Sequence, residues 1–152
     1  MRFLFIVYTI LFTGSCQSRT ANETSETTKP ISSTSDIAVQ ADTMCFQQIL
    51  QRDTTTLRLV VNGTAVKGYL DINPYEKDRA RGPVEGRLTD NQIQADWDRA
   101  GEGVIQRYAI NFTLKGNAIT WHEGERTKKQ GVWVLKQPRS GYEYVLNRKN
   151  CR

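Results

Sequence analysis

The sequence predicts an all-β fold, an antiparallel meander closed into a small up-and-down, lipocalin-like barrel of about eight strands. From Asp42 onward, short runs rich in Val, Ile, Thr, Tyr, Phe and Trp alternate with polar residues, and no stretch holds a helical period. Gly, Asn and Asp punctuate these runs at the spacing of sequential hairpins. With no helix to cover a sheet face, residues 42–152 must bury that face against itself, and closure also removes the edge strands that promote aggregation. A chain of 152 residues has room for one such domain.

Along the chain, segment 44–51 is expected as a lead-in that lies outside the closure or joins it irregularly. Leu57, Leu59 and Val61 alternate with Arg58 and Asn62, and Asn62-Gly63 is the strongest short hairpin signal because both residues tolerate positive φ. The return strand carries Val66, Gly68, Leu70 and Ile72 on one face, and Asn73-Pro74 stops it. Val84, Gly86 and Leu88 alternate next, Asp90-Asn91 turns the chain, and Ile93, Ala95 and Trp97 return. A longer strand over 104–115 sets Tyr108, Ile110, Phe112 and Leu114 on one face, with Arg107, Asn111, Thr113 and Lys115 on the other. Gly116-Asn117 turns into Ile119 and Trp121. Segments 132–135 and 142–146 are expected to pair across Gln137-Pro138-Arg139-Ser140-Gly141. The in-strand glycines Gly68 and Gly86 suit the bends and bulges of closure.

The front of the chain follows other rules. Met1-Arg2, the apolar run 3–12 and Thr13-Gly14-Ser15-Cys16 supply a charged start, an apolar stretch too short to cross a bilayer and a small-residue cleavage site, which predicts a signal peptide over 1–15. Directly after Gly14-Ser15, Cys16 resembles the acylated cysteine of bacterial lipoproteins, although Thr13 stands where Leu is usual. The resemblance implies lipidation of Cys16, with palmitate among the acyl chains, and a mature chain that begins there. The competing reading is an ordinary secretory signal whose cleavage region contains a cysteine. Each buried methylene is worth about 0.8 kcal/mol, so several acyl chains hold a domain on a membrane that it does not span. Segment 16–41 is rich in Ser and Thr with almost nothing to bury, which predicts a disordered linker.

With Cys16 lipidated, Cys45 and Cys151 remain, at the start and near the end of the domain, in an exported chain where disulfides persist. In a closed meander with an even number of strands the first and last strands are antiparallel neighbours, which would bring these two positions together. The alternative is a pair of buried or free thiols.

Enzyme signatures are missing from the sequence. It contains no G-x-S-x-G, H-E-x-x-H or P-loop pattern, and its single histidine, His122, reads as a strand-surface residue rather than a metal ligand. No cofactor and no metal are expected. An envelope hydrolase, the alternative from another functional class, would need Glu123 and Glu125 to meet Asp96 and Asp98 in an acidic barrel mouth. A small-ligand site is the stronger candidate, because such barrels can hold one ligand and Trp97, Trp121 and Tyr108, together with Trp133, Tyr69 and Tyr142, supply aromatic surface. A small barrel also fills its interior with side chains, which competes with that reading. The 21 Lys and Arg against 16 Asp and Glu favour anionic partners such as an envelope polymer or lipid. Nucleic acid is not expected, since no stacking motif interleaves the charges.

Residues 42–152 resemble a group of small lipoproteins of the Bacteroidota with a C-terminal β-rich domain. The similarity is carried by Cys45-Phe46, Asp53-Thr54, Val66-Lys67-Gly68-Tyr69-Leu70, Glu76-Lys77-Asp78 leading to Gly82, Gly86-Arg87-Leu88, Ala95-Asp96-Trp97, Gly101-Glu102-Gly103 and Cys151. These are mostly turn and packing positions, so the resemblance implies fold and location and no catalytic residue. Asp42-Thr43-Met44 and Asp53-Thr54-Thr55 are similar to the short O-glycosylation motif of that phylum. The expectation is a lipid-anchored protein of the cell envelope, on the periplasmic or surface side of the outer membrane, with a binding or structural role.

Overall fold

The computed structural model describes residues 41–151, all within one unit, Ile37–Arg152. The expected signal peptide, Cys16 and the expected linker, apart from Ala41, lie outside the described residues. The described residues form ten strands and no helix: β1 (Asp42–Leu50), β2 (Asp53–Asn62), β3 (Ala65–Asn73), β4 (Ala80–Thr89), β5 (Gln92–Gly101), β6 (Val104–Lys115), β7 (Ala118–Glu123), β8 (Arg126–Lys129), β9 (Val132–Leu135) and β10 (Tyr142–Lys149).

Two-residue turns join most neighbours. Their first residues are Gln51, Gly63, Asp90, Glu102, Gly116 and Gln130, and all six have φ between 48° and 59°. Positive φ at that position is the mark of the hairpin turns whose twist matches that of the flanking strands. At Asn62-Gly63 the turn sits one residue later than the dipeptide suggests: Asn62 ends β2 opposite Ala65, and Gly63 and Thr64 make the connection.

Eight strands close in the order β1-β2-β3-β4-β5-β6-β7-β10, and β10 returns to β1. Two expectations are corrected. Segment 44–51 is no lead-in: β1 pairs with β2 along its whole length, from Asp42↔Val61 to Leu50↔Asp53, and with β10 from Cys45↔Lys149 to Gln47↔Asn147. Its Met44 and Phe46 are buried, so the same alternation that builds the other walls builds this one. Segments 132–135 and 142–146 do not pair with each other. β9 pairs with β8, and meets β6 in parallel at Tyr108↔Trp133, while β10 pairs with β7. The strand β8, Arg-Thr-Lys-Lys, has no apolar alternation and so left no signal in the sequence.

The wall has a seam. β6 and β7 pair only between Thr113–Lys115 and Ala118–Thr120, after which β7 departs and the β8–β9 hairpin takes the free edge of β6. Behind the wall the barrel is filled: Phe46, Leu57, Leu59, Leu70, Ile93, Trp97, Phe112, Trp121 and Leu146 are almost wholly buried. Closely spaced backbones permit this filling. A methyl group at Gly82 would strike the carbonyl oxygen of Asp98, and one at Gly86 the carbonyl oxygen of Gln94, so only glycine fits between these strands. The disulfide Cys45–Cys151, with Cα atoms 5.3 Å apart, ties β1 to the residues that follow β10.

Candidate ligand-binding site

The meander gives the barrel two unlike ends. One carries the turns after β2, β4 and β6, the start of β1, the end of β10 and the disulfide. The other carries the turns after β1 and β5, the loop between β3 and β4, the start of β10 and the β8–β9 hairpin. At this second end lies a cavity of about 770 Å³, and beside it a smaller one of about 250 Å³; Ile72, Pro74 and Tyr144 line both.

The floor of the larger cavity follows from strand parity. On β5, Ile93, Ala95, Trp97 and Arg99 face inward, and on β6 Phe112, Ile110 and Tyr108 do so. The upper members of these rows, Trp97, Arg99 and Tyr108, meet the cavity. Trp97 and Tyr108 pack edge to face at 6.0 Å, and Trp133 from β9 stacks on the other side of Tyr108 at 6.3 Å. Tyr144 lies flat on Trp121 at 4.5 Å, and burial pushes its phenol above the ordinary range.

Two guanidinium groups stand over this floor in different states. Arg126, its side chain 6% exposed, forms a two-point ion pair with Glu123 at 2.6 and 3.0 Å. It also donates to the carbonyl oxygens of Ala109 at 2.9 Å and Trp133 at 3.1 Å, stitching β6 to β9, and lies 4.9 Å above the Tyr108 ring. Its charge is fully answered. Arg99 is half-buried, 5.5 Å from the Tyr108 ring and 6.0 Å from that of Trp97, and among the described residues it makes no ion pair or side-chain hydrogen bond. Glu76, Lys77, Asp78 and Glu102 occupy the exposed rim. The indole N–H groups of Trp97 and Trp133 are buried without an acceptor.

Of the aromatic residues anticipated for a ligand site, Trp97, Tyr108 and Trp133 line the cavity, and Trp121 sits beneath Tyr144 in the core. Tyr142 lines the smaller cavity and Tyr69 projects outward from β3. The acidic mouth does not assemble. Asp96 and Asp98 stand outside β5, which is not a neighbour of β7, and the hydrogen bonds from Arg107 hold the Asp98 carboxyl below its ordinary range. Glu125 pairs with Lys136, and Glu123 is held by Arg126. His122 lies on β7 opposite Glu143. Among the described residues, no group of three or more His, Cys, Asp or Glu could hold a metal ion. Several basic residues are already matched, Arg79 by Asp71 and Arg148 by Asp42.

Arg99, Arg126 and Tyr144 are site residues that composition and motif did not single out. The parity of Ile93-x-Ala95-x-Trp97-x-Arg99 does place Arg99 inside and was available in the sequence. No comparable signal marked Arg126, because β8 is invisible to periodicity. No family model, curated protein or solved structure matches the chain.

Proposed function

We propose that this is a lipid-anchored cell-envelope protein whose barrel binds a small, largely apolar ligand in its open mouth. The observation that carries the binding half is the cavity of about 770 Å³ floored by Trp97, Tyr108, Trp133 and Tyr144, a size and an aromatic lining suited to one small molecule. Packing of the barrel below it supports a preformed site, because a filled interior cannot collapse upward into the mouth. The anchor half rests on Cys16 behind Gly14-Ser15 and on the Ser/Thr-rich segment that follows. β1 begins at the end opposite the mouth.

Titration of the full chain with N-phenyl-1-naphthylamine, a neutral probe that brightens in apolar sites, tests the binding half. Saturable one-to-one binding that Tyr108→Ala weakens is the expected result; no saturable binding overturns the reading. Metabolic labelling with a palmitate analogue tests the anchor, with loss of label expected in Cys16→Ala and retained label defeating it.

A further inference from the structure

We infer that the ligand of this mouth is an anionic amphiphile whose acidic group is received by Arg99; the inference rests on the binding function proposed above and specifies its chemistry. Arg99 extends the inward row Ile93, Ala95, Trp97 by one step, which places its half-buried side chain over the cavity floor. There it has aromatic faces on two sides, Tyr108 at 5.5 Å and Trp97 at 6.0 Å, and no carboxylate or carbonyl partner among the described residues. Cation–π contact satisfies the charge in part, while the N–H donors in the plane of the group stay unanswered. Arg126, 4.9 Å from the same Tyr108 ring, shows what an answered guanidinium looks like here, with Glu123 and two backbone carbonyls consuming its donors. Since Arg126 and Glu123 cancel, Arg99 is the unpaired cation directly over the aromatic floor among the described residues, with Lys77 farther out on the exposed rim. A carboxylate, sulfonate or phosphate of a ligand can accept from it at two points.

The apolar half of the ligand is indicated by the same inward rows. Leu50 continues the β1 row of Met44 and Phe46, and Val104 begins the β6 row that leads to Tyr108. Leu50, 49% exposed, lines the smaller cavity, which shares Ile72, Pro74 and Tyr144 with the larger one, and Val104, 51% exposed, stands at the start of β6, so apolar surface continues beyond the aromatic floor. Glu76, Asp78 and Glu102 stand on the rim beside Lys77 and oppose an approaching anion, but all are exposed and water screens them, whereas Arg99 meets its partner within the cavity. A small molecule with one acidic group and an apolar body fits this order of charges and surfaces.

The test uses the full chain carrying Cys16→Ala, so that no acyl chain competes, and two probes with the same aromatic body. 1-Anilinonaphthalene-8-sulfonate carries the anion and N-phenyl-1-naphthylamine lacks it. Arg99→Gln is expected to weaken the sulfonate about tenfold and leave the neutral probe unchanged, the loss of one charge-assisted contact. Arg58→Gln, on the outer face of β2, is expected to change neither. Unaltered sulfonate affinity in Arg99→Gln, with both probes bound, overturns the anion assignment alone. Failure of both probes to bind the Cys16→Ala chain overturns the binding function beneath it. Retention of the neutral probe by Arg99→Gln also reports that this variant is folded.

Discussion

Single side chains at the mouth divide into those that hold it together and those that answer pH. Arg126 is the clearest of the first kind, because its four hydrogen bonds reach Glu123, β6 and β9 from a buried position. Removing it leaves a partly buried carboxylate without its guanidinium and cuts the side-chain link between β6 and β9. Arg126→Ala is expected to lose about 3 kcal/mol in urea unfolding. Tyr144 is of the second kind. Its folded phenol is held above the ordinary range by burial, so its contribution is complete below the normal tyrosine value near 10 and is lost as the pH rises through the raised one. Asp98, on the outer face of β5 away from the mouth, behaves in the opposite sense: held low by Arg107, it stabilises above its ordinary value and ceases to do so as the pH falls through the lowered one. Melting temperature against pH is expected to decline on both limbs, with Tyr144→Phe flattening the alkaline limb and Asp98→Asn the acid limb. Residues of this kind were only partly legible in the sequence: parity places Trp97, Tyr108 and Arg99, whereas the Arg126–Glu123 pair depends on a hairpin that periodicity does not reveal.

At the scale of elements, alternation and turns account for most of the barrel. Leu57, Leu59, Val66, Leu70, Ile93, Ile110 and Phe112 are buried as their period requires, and Asp90-Asn91 and Gly116-Asn117 turn where their composition places them. What escaped the sequence is pairing between strands far apart in the chain. The expectation that 132–135 and 142–146 form a hairpin assumed that neighbours in sequence pair. That habit fails at the seam, where β7 and β10 bury Ile119, Trp121 and Leu146 together. Close backbone approach is the other property of this scale. Gly82 faces inward between Ala80 and Val84, with the carbonyl of Asp98 where a side chain would begin. Gly82→Ala is expected to cost about 2 kcal/mol or more and to loosen Trp97, seen as a red shift of tryptophan emission. Gly63→Ala meets nothing within 4 Å and strains only a turn at φ 59°, so about 1 kcal/mol is expected.

For the molecule as a whole, Cys45 and Cys151 settle how the circle is fastened. β1 and β10 share only the register Cys45↔Lys149 to Gln47↔Asn147, a short join for the place where the barrel closes. The disulfide spans a sequence separation of 106, and a cross-link of that length restricts the unfolded chain strongly. Reduction, or Cys45→Ser with Cys151→Ser, is expected to lower unfolding free energy by about 2–4 kcal/mol, measured by urea titration with and without reductant. Counting strands from the sequence anticipated the number in the circle, eight, and the antiparallel meeting of its first and last members. It misjudged which strands they are, because β1 reads as an unremarkable flank and β9 as a wall strand.

The position of β1 between β2 and β10 has a consequence for the history of each molecule. β1 has one edge that no neighbour can fill until β10, at the other end of the domain, has been made, so that edge stays open while the strands between them are synthesised. Maturation therefore finishes at the carboxyl end: only when β10 arrives can the ring shut and the thiols meet, and a chain truncated before Tyr142 is left with two raw margins and a tendency to precipitate.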